Sequence, residues 1–430
     1  MPALFHLLST RIDRTFREPL APDVRRNMYL ELVASLAYGI FYAAAIQYIP
    51  VVLRRLGASS ELLALYTAQT YLGSILTSLS IVLMRRRRPK NFVILCWLVS
   101  RSLFMLFALV SQVHWLLVVT AFFWLLETFP SPGYTRIIQV IYPERVRGQI
   151  LGVVRLGMVA AMIVATPLAG WALDVIGYRV LFPLAGLVGA GAMAVFNQLH
   201  VDEGPLPPRE TRSIASLWQI VRTNRAFALH LLSFAIYGMG GLLGYPLYAI
   251  VQVDRLQLSY TTIGLLGIGQ SVAWLVGFLV WGRLVDSRGG LPVLRINQLI
   301  SVIVPLAYVF ATDGWMLIPA FFVQGLINAG VDIGLISTCI QLADKDRVVE
   351  YAAVQATVVG LRGMITPFLG AALLRLGMVD TTVFALGAAL IFVSWLILLP
   401  VRGTPATLQN LPQRRVLRAR WPLRWRFPRQ

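Results

Sequence analysis

Apolar residues in this chain come in long blocks separated by short polar turns. Twelve blocks stand out, near 28–53, 60–84, 91–111, 114–141, 149–173, 178–199, 226–251, 260–284, 291–311, 314–341, 351–375 and 379–400. A helix needs about 20 apolar residues to cross the hydrocarbon core of a bilayer, so each block predicts one spanning helix. The turns stay short except at 200–225, where "DEGPLPPRETR" predicts a polar linker between six helices and six. The expected layout is a segment 1–27, a six-helix bundle 28–200, a linker 201–225, a second bundle 226–401 and a basic tail 402–430. The fold class that follows is an all-α integral membrane protein, with twelve transmembrane helices in two pseudo-symmetric six-helix bundles. The first block starts about 28 residues in and is too long for a signal core, so no cleavable signal is expected.

Composition leaves little room for a soluble reading. Hydrophobic residues make up 57% of the chain and charged residues 13%, against about half and a quarter in soluble domains. Mean hydropathy is +0.71. Cys96 and Cys339 lie far apart inside apolar runs, which predicts packing and neither a disulfide nor a metal site.

Charge sets the expected orientation. Of the Lys and Arg residues, 28 fall in the segments on the side of the chain ends. Five fall in the opposite turns: Arg54, Arg55, Arg179, Arg255 and Arg375. The positive-inside rule then places both ends in the cytoplasm of a cell membrane. The net charge of +19 is mostly this asymmetry and implies no nucleic-acid partner. The run "RRRRPK" at 85–90 and the tail "RRVLRARWPLRWRFPR" suit anionic lipid head groups. Residues 213–225, "SIASLWQIVRTNR", suit an interfacial helix.

The halves repeat at a shift of 200. "TPLAGWALDVIG" at 166–177 overlies "TPFLGAALLRLG" at 366–377, Arg147 overlies Arg347, and Arg88 overlies Arg288. Six helices repeated in one orientation imply two bundles related by an axis along the membrane normal, with a site between them near the midplane.

Here a resemblance becomes specific. "GRLVDSRGG" at 282–290 resembles the signature turn between helices 8 and 9 of the major facilitator superfamily, and "PERVRGQILG" at 143–152 resembles that family's turn after helix 4. The resemblance implies a transporter that works by alternating access. It also implies a cytoplasmic latch of Gly282, Asp286, Arg288, Gly289 and Arg347. In that latch Asp286 would face the start of the eleventh helix, whose free N–H groups attract anions, and Gly282 and Gly289 would permit close approach and a sharp turn. In the first half Arg86 stands where the aspartate belongs, so that half-latch is missing or inverted through Glu144.

Charges inside the spans are few: Glu31, Arg101, Glu127, Arg136, Arg155, Asp332 and Arg362. A mid-membrane charge costs at least about 2.5–3.5 kcal/mol on insertion scales, so each needs a partner or a purpose. By depth, Arg101 matches Glu127, Glu31 matches Arg136 and Arg155, and Asp332 matches Arg362. The first pair reads mainly as structural, the second group as a polar site or gate, and the third equally as a structural pair or a proton site. Asp332 and Glu127 are the proton-coupling candidates.

Gln47, Gln69, Gln270, Gln324, Asn328 and Gln355 are the polar residues on helices that face the cavity in the family. Tyr38, Tyr42, Tyr237, Tyr245, Tyr248 and Trp274 accompany them. Such an apolar, aromatic cavity suits an amphiphilic organic solute. Four glycines and a proline in "YGMGGLLGYP" predict a bend in the seventh helix. "ATPLAG" resembles the family's antiporter motif, but "ITPFLG" repeats it in the second half, so efflux is only a modest preference.

The sequence holds no nucleotide-phosphate loop, catalytic triad or metal-ligand cluster, so no enzyme activity and no cofactor are expected. The reading is a monomeric secondary transporter of a small organic solute, coupled to protons. The rivals are an uptake porter or uniporter for an anionic or polar solute, and a non-transporting sensor or scaffold of the same fold.

Overall fold

In the computed structural model, residues 20–75, 83–84, 88–202, 214–344 and 347–402 are described. Arg86, Lys345, most of the linker and the tail beyond 402 lie outside them, and so does the lipid docking expected there. The described residues are helical and contain no strand. A backbone in hydrocarbon must satisfy its own polar groups, and a helix does so within one segment.

Eleven helical elements are long and apolar enough to span a membrane. They are α1 (Pro22–Arg55), α3 (Pro89–Ala108), α4 (Val113–Ile141), α5 (Glu144–Ile176), α6 (Tyr178–Phe196), α7 (Arg225–Arg255), α8 (Tyr260–Arg288), α9 (Gly290–Phe310), α10 (Gly314–Leu342), α11 (Glu350–Arg375) and α12 (Asp380–Leu398). The run expected at 60–84 contributes α2 (Ser60–Gln69) and a short turn of helix at Leu72–Ile75; part of it lies outside the described residues. A separate linker helix covers Ile214–Thr223. Its Ile220 is fully buried against the second half, beside Phe227, Leu291 and Tyr351.

α7 is interrupted at Gly244, just before Pro246, where the glycine-rich stretch predicts a bend. α1 is interrupted at Ala45, one residue off the equivalent position by the 200-residue shift, and that break was not foreseen. Pro50 follows it. A proline four residues on collides with the carbonyl of Ile46 and removes one helical hydrogen bond, as Pro246 does toward Leu242.

The two halves meet along α5 with α8 and along α2 with α11. The α5–α8 seam is tight toward the side away from the chain ends. A Cβ on Gly170 would lie 2.4 Å from the Tyr260 carbonyl oxygen, and one on Gly264 would lie 3.0 Å from that of Thr166. Near the terminal side a Cβ on Gly148, Gly152 or Gly282 would meet nothing within 4 Å. Gly282 is therefore not the close-approach residue expected at the signature turn. The close approach beside the turn is instead that of α9 to α10 at Gly290, where a Cβ would lie 2.5 Å from the Thr338 backbone nitrogen. Gly289 does make the turn, at φ +82°, a conformation other residues rarely adopt.

Candidate functional site

A cavity of about 390 Å³ lies between the halves. α1 supplies Tyr42 and Gln47, α2 Tyr66, α4 Trp124, α7 Tyr245, Tyr248 and Gln252, α8 Gln270 and Trp274, α9 Tyr308, and α10 Gln324 and Asn328. Among the described residues, no charged side chain lines it. Four of the polar and aromatic residues named from sequence lie elsewhere. Gln69 bonds to the Leu117 carbonyl at 3.0 Å and receives Thr120 at 2.7 Å. Gln355 pairs with buried His230 at 3.1 Å, and Tyr237 with Ser301 at 3.0 Å. Tyr38 lies under the Arg101 guanidinium, 4.7 Å from its ring centre. Sequence reading missed Tyr66, Trp124, Gln252 and Tyr308. Their blocks are too uniformly apolar to mark which face looks inward.

The intramembrane charges sort into three environments. Arg101 of α3 reaches Glu127 of α4 at 3.0 Å, and their side chains are 4% and 8% exposed. Ser100 donates to the other carboxylate oxygen at 2.8 Å, and Arg101 also reaches the Gly189 carbonyl on α6 at 3.2 Å. The pair ties three helices of one half. Removing one partner of such a pair strands a buried charge, at about 3–5 kcal/mol. Arg101→Ala is therefore expected to lower unfolding stability by about that amount, read by denaturant unfolding of the purified protein, and Arg101→Ala/Glu127→Ala by less.

Glu31 of α1 is 2% exposed. It accepts hydrogen bonds from the Tyr134 hydroxyl at 2.5 Å and the Tyr142 hydroxyl at 2.6 Å, and the charge of Arg155 reaches it. Arg136 is half-buried and forms no ion pair with Glu31. The charge of the same Arg155, on α5, also reaches Asp332 on α10, in the other half, and the two form no ion pair. Both side chains are exposed. They lie roughly 16 Å and 15 Å along their helices from the terminal side.

The pairing expected between Asp332 and Arg362 is absent. Arg362 stands roughly 18 Å from that side, about 3 Å deeper than Asp332. Its guanidinium donates to the Phe234 carbonyl on α7 and lies over the Phe234 ring, 4.2 Å from its centre. Gly238 leaves the space it fills, since a Cβ there would lie 2.1 Å from the guanidinium carbon.

Among the described residues, the polar bonds that cross between the halves lie on the far side. Arg54 at the end of α1 donates through Nε to Asp254 at the end of α7, at 3.1 and 2.9 Å, and Nη2 adds a further contact. Arg55 donates to the Leu258 carbonyl at 2.6 Å, lies 3.8 Å from Asp174 and covers the Tyr260 ring. Asp174, at the end of α5, accepts from the backbone N–H of Tyr260 at 3.1 Å and of Thr261 at 2.7 Å, and from the Thr261 hydroxyl at 2.7 Å. It thus satisfies the free donors that open α8. On the terminal side Asp286 and Arg288 are exposed. Arg347 sits on Glu350 of its own helix at 2.6 Å and forms no ion pair with Asp286.

Two helical halves around a central cavity, bridged across one end, define a polytopic transporter fold. A family model described as Major Facilitator Superfamily matches residues 30–255 and 245–429. The chain belongs to that family. A curated relative, described as a probable sugar efflux transporter of Helicobacter pylori (strain G27), is 26% identical over 258 residues. That match spans 57% of this chain and 64% of the relative, so just under two thirds of the relative's length is matched. The crystal structure of a variant of the nucleoside transporter NupG aligns with TM-score 0.65 and 11% identity, over 86% of this chain and 98% of that one. A bacterial homolog of the human lysosomal transporter Spinster, in an inward-facing and unoccupied conformation, aligns with TM-score 0.61 and 14% identity, over 88% and 99%.

Proposed function

We infer that this protein moves a small uncharged organic solute across the cell membrane by alternating access, coupled to protons, with export as the working direction. The observation that carries this reading is the cavity between the halves. It is bridged on the far side by cross-half bonds at Arg54, Arg55 and Asp174, while Asp286 and Arg288 on the terminal side are exposed. With both ends in the cytoplasm, as the excess of basic residues on that side supports, this arrangement is the inward-open one. The uncharged lining favours a neutral solute over an anion, because an ion would lose its hydration with no countercharge in reach. The names of the sugar efflux relative and the nucleoside transporter are consistent with that class, and the former supports export.

Asp332 is the proton site we favour. It is exposed and answers across the interface to Arg155, whereas Glu127 is locked to Arg101 and Ser100 within one half. The test is flux in proteoliposomes under an imposed pH gradient, with radiolabelled lactose and uridine as separate probes. Gradient-dependent accumulation of one of them is the expected result. Equal movement with and without the gradient would remove the proton from the scheme. No movement of either would return the protein to a sensor or scaffold role.

A further inference from the structure

We propose that Arg362 is a positioning residue that ties the α2–α11 seam between the halves to the backbone of α7, and so governs how readily α7 swings at its break. The proposal rests on the transport reading only in treating the far side as a gate.

Stability does not account for Arg362. Among the described residues it forms no ion pair; its partners are the Phe234 carbonyl and the Phe234 ring. Its Nε is buried without an acceptor. A cation so deep in a span gains little over an apolar side chain of the same bulk, because desolvation offsets what the carbonyl and the ring return. Its purpose lies in what it holds.

What it holds is a backbone carbonyl of α7. In a regular helix the Phe234 carbonyl accepts from the N–H four residues on, that of Gly238. Arg362 reaches the same oxygen through the gap that Gly238 leaves, where a Cβ would overlap the guanidinium. Nine residues further along α7, a Cβ on Gly370 of α11 would collide with the Leu243 carbonyl oxygen. α11 therefore grips α7 at two carbonyls roughly 13 Å apart, and the helix breaks at the next residue, Gly244. Beyond the break, α7 carries Tyr248 and Gln252 into the cavity and Asp254 onto Arg54.

The grip answers to the other half. Tyr71, just past the end of α2, lands on Gly363, the residue next to Arg362: a Cβ on Gly363 would overlap the Tyr71 ring. Tyr71 also stands within electrostatic reach of Arg362. Pro367, one turn further along α11, removes the helical bond to the Gly363 carbonyl, so α11 is weakest where Tyr71 presses it. Rocking of the halves that moves Tyr71 shifts Gly363, and with it Arg362 and the bend of α7.

The experiment is pulsed dipolar spectroscopy on the full-length protein in nanodiscs, without solute, with spin labels at Gln112 and Thr312 on the far side of the two halves. Arg362→Met keeps the bulk and deletes the charge. It is expected to raise the far-side-open population at least about five-fold, with little change in melting temperature. Arg362→Lys restores a charged donor and is expected to return that population to within about two-fold of the starting protein. Gly238→Ala displaces the guanidinium without altering Arg362 and is expected to act as Arg362→Met does. Gly241→Ala, whose Cβ would meet nothing within 4 Å, controls for the stiffening that alanine brings to any helix. Tyr71→Ala combined with Arg362→Met should open the far side no more than the larger single change, since both act through one link. Gly238→Ala carries the test if Arg362→Met does not fold. Unchanged distances in either folded variant overturn the proposal, and so does an additive double variant. Shifted distances in a protein that moves no solute in liposomes would uphold the link and sink the transport reading instead.

Discussion

Replacing Asp174 with alanine opens the far side of the protein, and replacing Asp254 with alanine does so much less. Both residues bridge the halves, but their bonds differ. Arg54 and Asp254 occupy equivalent positions in the 200-residue repeat and meet across the pseudo-symmetry axis. Their side chains are 26% and 40% exposed, so water and salt screen them. Exposed pairs of this kind contribute about 0–1 kcal/mol. Asp174 instead accepts two backbone N–H groups and one hydroxyl from the first turn of α8, with Arg55 close by. Hydrogen bonds to a charged group contribute about 1.5–3 kcal/mol each when shielded, and a helix N-terminus adds about 0.3–1 kcal/mol for a nearby anion. Even after allowance for partial exposure, the loss should reach about 1.4 kcal/mol, a ten-fold shift between closed and open populations. Spin labels at Gln112 and Thr312, exposed far-side positions on the two halves, read that shift as a second, longer distance in pulsed dipolar spectroscopy. If Asp254→Ala produces the larger open population, the ranking argued here is wrong.

That latch was the part of the molecule least legible beforehand. The spans announced themselves because lipid demands long apolar blocks, and the Arg101–Glu127 pair showed through because both charges lie near mid-span in neighbouring helices. Asp174 carried no such mark. It lies at a helix end, and its main partners are backbone N–H groups, which every sequence possesses. Arg362 was misassigned for a different reason. Depth says nothing of which way a side chain turns around its helix, and Arg362 turns to the Phe234 carbonyl on α7 instead of to Asp332. The break in α1 did leave a signal, Pro50, but without glycines around it the proline reads as an ordinary helix start for the segment after it.

Asp332→Asn is expected to reduce gradient-driven flux at least about ten-fold while leaving solute exchange at equilibrium within about two-fold. Asp332 and Arg155 lie at similar depth on helices of opposite halves, and both are exposed. Rocking the halves changes the separation of these two residues, whereas Arg101 and Glu127 move together. A carboxylate favours its ionised form beside a cation and in water, and favours a proton once either is withdrawn. A carboxylate whose cationic neighbour belongs to the other half therefore changes proton affinity with the state of the transporter, which is the requirement for coupling. Asparagine keeps the shape and hydrogen-bonding capacity of the protonated acid but carries no proton to exchange. It should uncouple the cycle without blocking it. Glu127→Gln makes the contrast, since it removes half of a buried ion pair and should cost stability more than coupling. Both are read in the same proteoliposomes, comparing pH-driven accumulation with counterflow. Retention of pH-driven accumulation by Asp332→Asn, with loss of it in a folded Glu127→Gln, would move the proton site to the first half.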